Sequence, residues 1–415
     1  MRILLLSSHF PPEKGSASRL FFELAESLSE RGHDVTVLTG FPRYLMWSTR
    51  QNGLLRQERQ GLVRVVRVFN FPLSGWGPYR RGMDQLFMAM AQFVGAAVVE
   101  RPDVILMYSP PLPPALAAWA LSRLWRIPYA VNVQDLFPRS AVDLELMSGR
   151  RITAAFEAVE SFVYRTAGAL AVISEGNRNH VVGRGADPKN VEIISNWADI
   201  ELVRPGPPNP GLRDRLGLRP VFTVQYSGVM GYSQDLDTVI EAAVLLQQED
   251  GILFHLSGDG VERDRLEHHA AAYQLTNIAF TGLQPQERYG DVLRLASAGL
   301  VTLRPEVRSP SVPSKLFNIM ASGRPVVLSL DAGGDARRIV EKYRCGVAVP
   351  PGNPVALSEA ILDLYRHPQA AEEMGRNGRV AVERHFSREH AVDAYEGLLR
   401  RLTEAKPGVA GRLRR

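Results

Sequence analysis

Short apolar runs alternate with amphipathic stretches from one end of the chain to the other. RILLLSS is a run of strand length, and residues 17–31 place Leu20, Leu24 and Leu28 on one face of a helix that Gly32 would end. Further strand-like runs follow in the first half, in the order DVTVLT, VRVVRVF, DVILMYS, YAVNVQD, ALAVIS and VEIIS. Because helix-compatible stretches separate several of these runs, the pattern predicts a parallel, doubly wound α/β sheet.

The alternation breaks at residues 203–220, which contain five prolines, and we interpret this segment as a linker between two domains. The strand series then restarts with VFTVQYS, ILFHLSG, NIAFTG, AGLVTLR, PVVLSL and CGVAVP. Residues 387–404 have the spacing of a final helix that begins at a serine. Ligands of doubly wound sheets bind at the carboxyl ends of the strands, so we expect the chemistry in a cleft between the two halves.

Composition sets limits on the class of protein. With 45% hydrophobic and 22% charged residues over 415 positions, the chain has the composition of a globular protein of two domains. Its single cysteine, Cys345, excludes an internal disulfide, which suits a reducing compartment. The first apolar run is too short for a secretory signal, and the run at 86–99 is short for a bilayer span. We therefore expect a soluble or peripheral protein.

Positive charge is concentrated in two places. The formal net charge is +5, and the last eleven residues, AKPGVAGRLRR, hold four basic groups and no acid. The zone from Arg43 to Arg81 holds eight arginines and one acid, Glu58, among several aromatic residues. Such a composition favours an anionic membrane or a nucleic acid, although a solvated loop face would have it too. Because a very apolar helix follows from Met83, an anionic membrane surface is the partner that we expect.

Two loops that follow strands contain glycines of the kind that approach phosphates. PPEKGSASR places Gly15 and Ser16 between the first strand and the first helix, where helix amides can face an anion. QYSGVMG places Gly228 and Gly231 at the same kind of turn in the second half. The second loop lacks the G-x-G-x-x-G dinucleotide spacing, and no G-x-x-x-x-G-K-[ST] phosphate loop occurs, so the pattern indicates neither an NAD site nor an NTPase.

Three more polar segments stand at the ends of predicted strands. LSGDGVERD places Asp259 between two glycines, in a turn suited to a nucleotide contact. SVPSK puts Lys315 at the start of a helix, where an ammonium can lie beside phosphates. VNVQDLFP carries Gln134 and Asp135 beyond a buried strand. Asp135 can orient an acceptor hydroxyl or accept its proton, or it can simply form a turn.

Taken in order, these motifs resemble the retaining glycosyltransferases of family four, and they are most similar to the bacterial branch that builds surface polysaccharides, such as the fucosaminyl transferases. The resemblance runs from FPPEKGSASR to HFSREHAVDAYEGLLRRL, which is nearly the whole chain. It is carried by QDLFP, SGVMG-x-x-Q-x-LDTVIEAA, SGDGVER, the SVPSK and MASGRPVV block, and CGVAVPPGNP. No one of these motifs would identify the family, but their order does.

The resemblance implies an α/β fold of the GT-B type. In that fold two doubly wound, Rossmann-like domains face a central cleft, and a C-terminal helix crosses back to the N-terminal domain. The expected divisions are an acceptor-binding domain, a linker, a nucleotide-sugar-binding domain, the returning helix and a basic tail, at residues 1–202, 203–220, 221–386, 387–404 and 405–415.

The resemblance also implies roles for individual residues. Lys315 and the loop at Gly228 would hold the donor diphosphate, and Asp135, Gln134 and Lys315 are the candidate catalytic residues. The donor and nucleotide contacts would come from Gly15, Ser16, Gly228, Val229, Gly231, Gln234, Gly258, Asp259, Gly260, Lys315, Asn318, Gly333, Gly334 and Asp335. In the usual account of the family the leaving phosphate helps to deprotonate the acceptor. We therefore expect no protein nucleophile, no metal and no cofactor.

Three departures from the family pattern concern the same site. Many members have an arginine and a lysine in the phosphate loop, where this chain has Val229 and Gln234. The paired glutamates of the family are absent, and the second of them falls at Asn318. Many members carry a histidine at the end of the QDLFP strand, and the nearest residues to that position in this chain are Gln134 and Asp135. Lys315 and the backbone amides would then carry more of the donor binding.

The function that follows is transfer, with retention, of an N-acetylamino or deoxy sugar from a UDP-linked donor to a polyprenyl-diphosphate-linked or saccharide acceptor. We expect the protein in the cytoplasm, peripheral on the inner face of the cell membrane, and without a nucleic-acid partner. Three alternatives stay open on the sequence alone. They are a nucleotide-sugar 2-epimerase of the same fold, a catalytically weak subunit of a polysaccharide assembly complex, and a nucleic-acid binder that rests only on the basic zones.

Overall fold

The computed structural model describes residues 1–13, 15–42, 53–69, 78–143, 147, 149–308, 310 and 312–404, with the backbone alone at 78–81 and 286. Residues 43–52 and 70–77 of the Arg43–Arg81 zone and the basic tail at 405–415 therefore lie outside the described residues. The chain divides into two compact units, which are Met1–Ser195 together with Ala391–Arg415, and Asn196–His390.

In its described residues, the first unit contains eight strands with helices between several of them. The strands are β1 (Arg2–Leu6), β2 (Asp34–Gly40), β3 (Leu55–Gln60), β4 (Val63–Val68), β5 (Val104–Ser109), β6 (Tyr129–Val133), β7 (Ala169–Val172) and β8 (Val191–Ile193). The helices are α1 (Ser16–Glu30), α2 (Pro78–Gly95), α3 (Pro114–Trp125), α4 (Arg139–Asp143), α5 (Arg150–Thr166) and α6 (Glu175–Gly183). Two short 3-10 turns lie at Ala96–Val98 and Pro188–Asn190.

These strands form one sheet in the order β3-β4-β2-β1-β5-β6-β7-β8. All neighbours are parallel except β3 and β4, which form an antiparallel hairpin. The central strands are buried throughout, because helices cover both faces of a parallel sheet, and this explains their continuous apolar runs. The edge strand β3, LRQERQ, is polar and largely exposed, so its sequence contains no apolar signal from which it could be predicted.

The second unit has six strands, with helices in alternation. The strands are β9 (Phe222–Val229), β10 (Ile252–Asp259), β11 (Ile278–Thr281), β12 (Ala298–Thr302), β13 (Val326–Ser329) and β14 (Gly346–Val349). The helices are α7 (Pro210–Arg215), α8 (Leu236–Leu245), α9 (Arg263–Ala272), α10 (Tyr289–Arg294), α11 (Lys315–Ala321), α12 (Asp335–Tyr343), α13 (Pro354–Arg366) and α14 (Pro368–His385), with a 3-10 turn at Gln286–Arg288. All strand pairs are parallel, in the order β11-β10-β9-β12-β13-β14.

The proline-rich segment 203–220 belongs to the second unit, whereas the sequence led us to expect a linker there. The division between the units falls earlier, after Ser195. Leu212 of α7 and the nearby Leu218 are buried in a small apolar cluster with Leu253 of β10 and Val292 of α10. Proline and glycine mark irregular backbone, but they do not tell whether that backbone packs against a domain.

The last helix, α15 (Arg388–Glu404), starts at the end of the second unit and packs on the first. Glu396 accepts hydrogen bonds from Arg31 at 2.9 Å and is 3.1 Å from His33, both of which follow α1. These partners, together with Arg400, lower the pKa of Glu396 to about 2. Tyr395 on the buried side of the helix interacts with the Gln134 side chain.

His255 is a buried polar group on β10, the strand next to the edge of the second sheet. It lies on β10, between β9 and β11, and its Nε2 is 2.8 Å from the hydroxyl of Thr281. Its Nδ1 is buried without a hydrogen-bond partner among the described residues. Burial lowers the pKa of His255 to about 4, because the interior does not solvate an imidazolium.

We expect this histidine to make the fold sensitive to acid. His255 binds a proton near pH 6.5 in the unfolded chain and only near pH 4 in the folded chain. Its contribution to the free energy of unfolding is therefore fully present above pH 6.5 and is lost as the pH falls through 4. The loss approaches about 3 kcal/mol. Urea unfolding of the full chain at pH 7.5 and 4.5 measures it, and His255→Gln should flatten the difference in midpoint.

His268→Gln is the matched control, since His268 is exposed on α9 and bonds only a backbone carbonyl. It should retain the pH dependence of the wild type. An equal acid sensitivity in His255→Gln would show that other groups are responsible.

Candidate active site

The order of the second sheet places four loops at one edge. The chain winds outwards from β9 through β10 to β11 and then returns to the other side of β9 with β12. This reversal is the topological switch point at which doubly wound sheets bind ligands. The loops that follow β9, β10, β12 and β13 all leave the carboxyl edge of the sheet at or beside this point, and they contain nearly all the donor-site residues that the sequence indicated in this half.

The loops after β9 and β10 are locked together through their backbones. Met230 donates its N–H to the Asp259 carbonyl at 2.8 Å, and Glu262 donates to the Met230 carbonyl at 3.1 Å. A Cβ at Gly258 would lie 1.8 Å from the carbonyl oxygen of Gly228, and one at Gly260 would lie 2.3 Å from that of Met230. Glycine is therefore required at both positions by close approach of the two chains.

The first of these loops turns at Gly228 and closes at Gly231. Gly228 has a φ of 146°, a conformation that favours glycine. Gly231 accepts a hydrogen bond from the Gln234 N–H at 3.1 Å and closes the turn into α8. Val229, between them, is exposed. Asp259 on the neighbouring loop accepts the N–H of Gly260 at 2.8 Å, so its carboxylate forms a turn.

Lys315 joins this edge from the first residue of α11. Its Nζ donates to Oε1 of Gln234 at 2.6 Å and lies 4.0 Å from the centre of the Tyr226 ring. A Cβ at Gly228 would lie 3.6 Å from the same Nζ. Burial lowers the pKa of Lys315 to about 7. The structure thus brings together Gly228, Gln234 and Lys315, which are far apart in the sequence.

Tyr226 completes this cluster, and it was not among the residues predicted from the sequence. Its hydroxyl donates to the Val229 carbonyl at 2.5 Å and is 3.1 Å from Oε1 of Gln234. Burial raises its pKa, so the phenol stays neutral. An aromatic residue in a buried strand usually belongs to the hydrophobic core. Tyr226 differs from such residues because the Lys315 ammonium lies over its ring.

Asn318 lies one turn after Lys315 on α11. It is buried, its Nδ2 is 3.4 Å from the Ser314 carbonyl, and its Oδ1 has no hydrogen-bond partner among the described residues. A buried amide oxygen without a partner is costly in a folded protein. It is available for a ligand hydroxyl.

Gly333, Gly334 and Asp335 form the start of α12, after β13. The N–H groups of Gly333 and Gly334 are bonded to Asp331, at 3.2 Å through its side chain and 3.0 Å through its carbonyl. Asp335 is buried and accepts from Arg338 at 3.2 Å. These residues share the edge of the sheet with Lys315.

Arg304, after β12, is a second cation at this edge that sequence reasoning missed. Its N–H donates to the Ser233 carbonyl at 3.0 Å, which ties the β12 loop to the β9 loop. Its guanidinium lies 3.9 Å from Asp237 and 3.7 Å from Glu262. Arg265 holds Asp237 with two hydrogen bonds of 2.8 and 2.7 Å and lowers its pKa. The starts of α8 and α9 are thereby joined by charged pairs.

The candidate residues of the first unit lie at the carboxyl ends of its central strands. Gln134 follows β6, donates from Nε2 to Oδ1 of Asn132 at 2.8 Å, and also interacts with Tyr395. Asp135 accepts the N–H of Leu136 at 2.8 Å. Burial raises the pKa of Asp135, against the opposing effect of its hydrogen bonds. Both side chains thus have structural partners.

Gly15 and Ser16 lie at the start of α1. Gly15 has a φ of 132°, and a Cβ there would meet no atom within 4 Å. No side chain caps the helix at this end, so its first amides are open to solvent or to an anion. Within the described residues no three histidine, cysteine or acidic side chains are grouped as a metal site would need.

Comparison with known proteins assigns both halves of the chain. Residues 15–197 match the family described as glycosyl transferase 4-like domain, and residues 218–381 match glycosyl transferases group 1. The chain belongs to the GT-B glycosyltransferases. A protein of Escherichia coli K12 named as a colanic acid biosynthesis glycosyl transferase, WcaI, is 27% identical over 387 residues, which are 90% of this chain and 95% of the relative.

One further relative and two solved structures are similar to this chain. WbjE of Pseudomonas aeruginosa, named as a glycosyltransferase, is 27% identical over 80% of this chain and 84% of its own. Sucrose-phosphate synthase from Thermosynechococcus elongatus has the same fold, with a TM-score of 0.79 at 20% identity, over 97% of this chain and 98% of its own. Anabaena HepE, solved with UDP-glucose, has a TM-score of 0.72 at 17% identity, over 97% and 100%.

For this GT-B glycosyltransferase the fold predicted from the sequence is confirmed, including the two doubly wound sheets and the returning helix. The relatives are named as transferases, which gives no support to the epimerase alternative. The residue roles taken from the resemblance stay predictions.

Proposed function

We propose that the chain transfers a sugar from a UDP-linked donor, held by the second unit, to a hydroxyl of a lipid-linked or saccharide acceptor in the synthesis of a bacterial surface polysaccharide. The reaction proceeds with retention of the anomeric configuration. The observation that carries the proposal is the half-buried Lys315 at the switch point, whose Nζ is bonded to Gln234 and lies beside Gly228, in a chain of GT-B family membership.

The names of related proteins support the choice of substrates. Solved neighbours of the same fold hold UDP and UDP-glucose. Relatives are named for colanic acid biosynthesis and for the O-antigen chain, which are surface polysaccharides. Others are a D-rhamnosyltransferase and an α-D-kanosaminyltransferase, which transfer a deoxy and an amino sugar. We therefore propose a donor sugar of the N-acetylamino or deoxy type.

The donor diphosphate would rest on amides of the turn from Gly228 to Gly231, other than that of Met230, which is bonded to the Asp259 carbonyl. Lys315 would be its main cation. Asn318 would bond a ribose hydroxyl through its unpartnered oxygen, and the loop at Asp259 would lie near the base. Gly333 to Asp335 would lie near the donor sugar. As the bond between the anomeric carbon and the diphosphate breaks, negative charge grows on the leaving oxygen, where the amides and Lys315 stabilise it. No group of the protein becomes covalently attached, and no metal is proposed.

A donor screen tests the proposal directly. The protein is mixed with UDP-glucose, UDP-N-acetylglucosamine, GDP-mannose or dTDP-rhamnose, and its thermal midpoint and the slow release of nucleotide without acceptor are measured. We expect a UDP-sugar to raise the midpoint and to be hydrolysed. If none of the four donors raises the midpoint or loses its nucleotide, the proposed function is wrong.

Lys315→Ala should weaken binding of UDP. Loss of a charged hydrogen bond to phosphate costs about 1–3 kcal/mol, which is roughly a 5- to 150-fold rise in the Kd measured by calorimetry. The control is Lys342→Ala, since Lys342 is exposed on α12. Unchanged UDP affinity in Lys315→Ala would remove this lysine from the site.

The same lysine predicts how donor affinity varies with pH. With its pKa near 7, the free protein is charged at Lys315 at pH 6 and largely neutral at pH 8.5, where the donor must first recruit a proton. Affinity for a UDP-sugar, whose phosphates do not titrate in this range, should therefore fall as the pH rises. In Lys315→Ala that decline should be absent.

We also propose that the first unit docks on an anionic membrane surface through α2. Four apolar side chains share one face of this helix and are more than half exposed, namely Met83, Leu86, Met90 and Val94. The one acid of the helix, Asp84, is buried. A Cβ at Gly82 would lie 3.7 Å from the Phe156 ring of α5, and α5 starts with the exposed Arg150 and Arg151.

An apolar stripe beside arginines is suited to the interface of a bilayer with anionic headgroups. No helix within the described residues has the length and apolar character to cross a membrane. We therefore propose a peripheral protein on the cytoplasmic face of the cell membrane, where lipid-linked acceptors are found.

Flotation with vesicles tests the docking surface. The wild type should float with vesicles that contain phosphatidylglycerol and much less with pure phosphatidylcholine. The double variant Leu86→Gln and Met90→Gln should stay at the bottom, whereas Leu245→Gln, an exposed apolar position of α8, should float like the wild type. Equal and negligible flotation with both vesicles would contradict the proposal.

A further inference from the structure

Tyr226 is a core residue of the second unit by its burial. It lies on β9, two residues before Gly228, and no part of it is exposed. It belongs to the apolar cluster that also contains Leu236 and Val239 of α8. Packing alone requires only an apolar side chain of about this size. Its ring and its hydroxyl each make a contact that goes beyond this requirement.

The face of the Tyr226 ring contacts a cation. The Nζ of Lys315 lies 4.0 Å from the centre of the ring and donates to Oε1 of Gln234 at 2.6 Å. A ring face carries negative partial charge, so it attracts an ammonium, and it does so more strongly where water is reduced. A Cβ at Gly228 would lie 3.6 Å from this Nζ and 3.9 Å from the Tyr226 hydroxyl. The ring thus holds the ammonium beside the glycine at which the turn begins.

Both partners of this ammonium are neutral. Gln234 is an amide, and the Tyr226 phenol keeps its proton, because burial raises its pKa and the nearby Tyr289 of α10 adds to that effect. Lys315 forms no ion pair within the described part of the chain. An ammonium held in this way keeps its charge for an anion. Its protonation then depends on how well the ring and the amide take the place of water.

The hydroxyl of Tyr226 holds a carbonyl of the same turn. It donates to the Val229 carbonyl at 2.5 Å, and because Tyr226 is buried, this carbonyl points into the unit. The carbonyls of Met230 and Gly231 accept from backbone N–H groups, each at 3.1 Å. Three consecutive carbonyl oxygens, which would repel a phosphate, are therefore bonded to donors of the protein. A side chain makes the first of these three bonds, and the backbone makes the other two.

We propose that Tyr226 is a positioning residue of the donor site, whose ring holds the Lys315 ammonium for the diphosphate and whose hydroxyl holds the Val229 carbonyl away from it. This inference rests on the proposed function and deepens it. One side chain then sets both the cation and the polarity of the turn, so the donor meets N–H groups and an ammonium instead of carbonyl oxygens. The two contacts can be separated, because phenylalanine retains the ring face without the hydroxyl and leucine retains neither.

The ring is tested by the pH dependence of donor affinity. The Kd of the UDP-sugar selected in the donor screen is measured by calorimetry at pH 6 and 8.5 for the wild type, Tyr226→Phe and Tyr226→Leu. Without a ring face the ammonium loses a stabilising partner, so the free protein releases the Lys315 proton at a pH about one unit lower. Donor affinity in Tyr226→Leu should be within about twofold of that in Tyr226→Phe at pH 6 and about tenfold weaker at pH 8.5.

The hydroxyl is tested by Tyr226→Phe against the wild type. The freed Val229 carbonyl can turn towards the diphosphate, so the Kd of the same UDP-sugar should rise about fivefold at both pH values. The change of Kd with pH should stay that of the wild type, since the ring face still holds the ammonium. An unchanged Kd in Tyr226→Phe would overturn the inference for the hydroxyl.

Tyr129→Leu is the matched control. Tyr129 is also buried, on β6 of the first unit, and its hydroxyl is 2.7 Å from that of Thr166. Loss of this ring should lower the thermal midpoint and leave the pH dependence of donor affinity unchanged, because the donor cluster lies in the second unit. Should Tyr226→Leu not fold, Tyr226→Met, which also lacks a ring and adapts to irregular space, replaces it.

The outcomes distinguish this inference from the proposed function. Equal pH dependence in Tyr226→Leu and Tyr226→Phe, even with weaker binding overall, would mean that the ring serves packing alone, and the inference for the ring would be overturned while the function stands. A wild type that binds and hydrolyses none of the four donors contradicts the proposed function itself.

Discussion

The constraint on which the second unit depends is a half-buried ammonium that has no carboxylate beside it in the described part of the chain. Lys315 is held by an amide oxygen of Gln234 and by the face of the Tyr226 ring, and it forms no ion pair among the described residues. Both partners are dipolar, so they orient the charge without neutralising it, and desolvation lowers its pKa. The cluster is electrostatically incomplete until an anion arrives. In the proposed function the donor diphosphate is that anion.

The departures from the family pattern acquire a physical meaning from this cluster. Val229 is exposed and apolar where relatives of the resembled family carry a cation, so the loop offers amides alone. Gln234 has no charge with which to attract a phosphate, but its side-chain oxygen accepts a hydrogen bond from Lys315 and holds that lysine in place. Asn318 presents an oxygen without a partner where a carboxylate is usual. Relative to the family pattern, the site lacks a positive charge at Val229 and a negative charge at Asn318. The net charge of the site therefore changes less than either substitution alone would change it.

Much of the fold was predictable from the sequence, because parallel strands buried on both faces are continuous apolar runs. The observed β1 and β2 and the helix between them coincide with the predicted elements to within a residue or two. The polar edge strand β3 was missed, since an exposed antiparallel strand needs no apolar residues. The packing of 203–220 was also missed, because it depends on contacts with distant strands.

The candidate site shows the same division. The glycine loops and Lys315 could be proposed from local pattern, because each follows a strand and sequence order tells which edge it occupies. The role of Tyr226 could not, since only the folded chain brings a lysine 89 residues away over its ring.

The route of α15 has a consequence for how the protein is made. The first unit needs the last helix, whose Tyr395, Leu398 and Leu399 are buried on it, whereas the second unit is one continuous stretch of chain. During synthesis from the N-terminus, the first unit has all its strands early but must keep an apolar surface uncovered until the final residues leave the ribosome. The half that is translated second can therefore finish folding first.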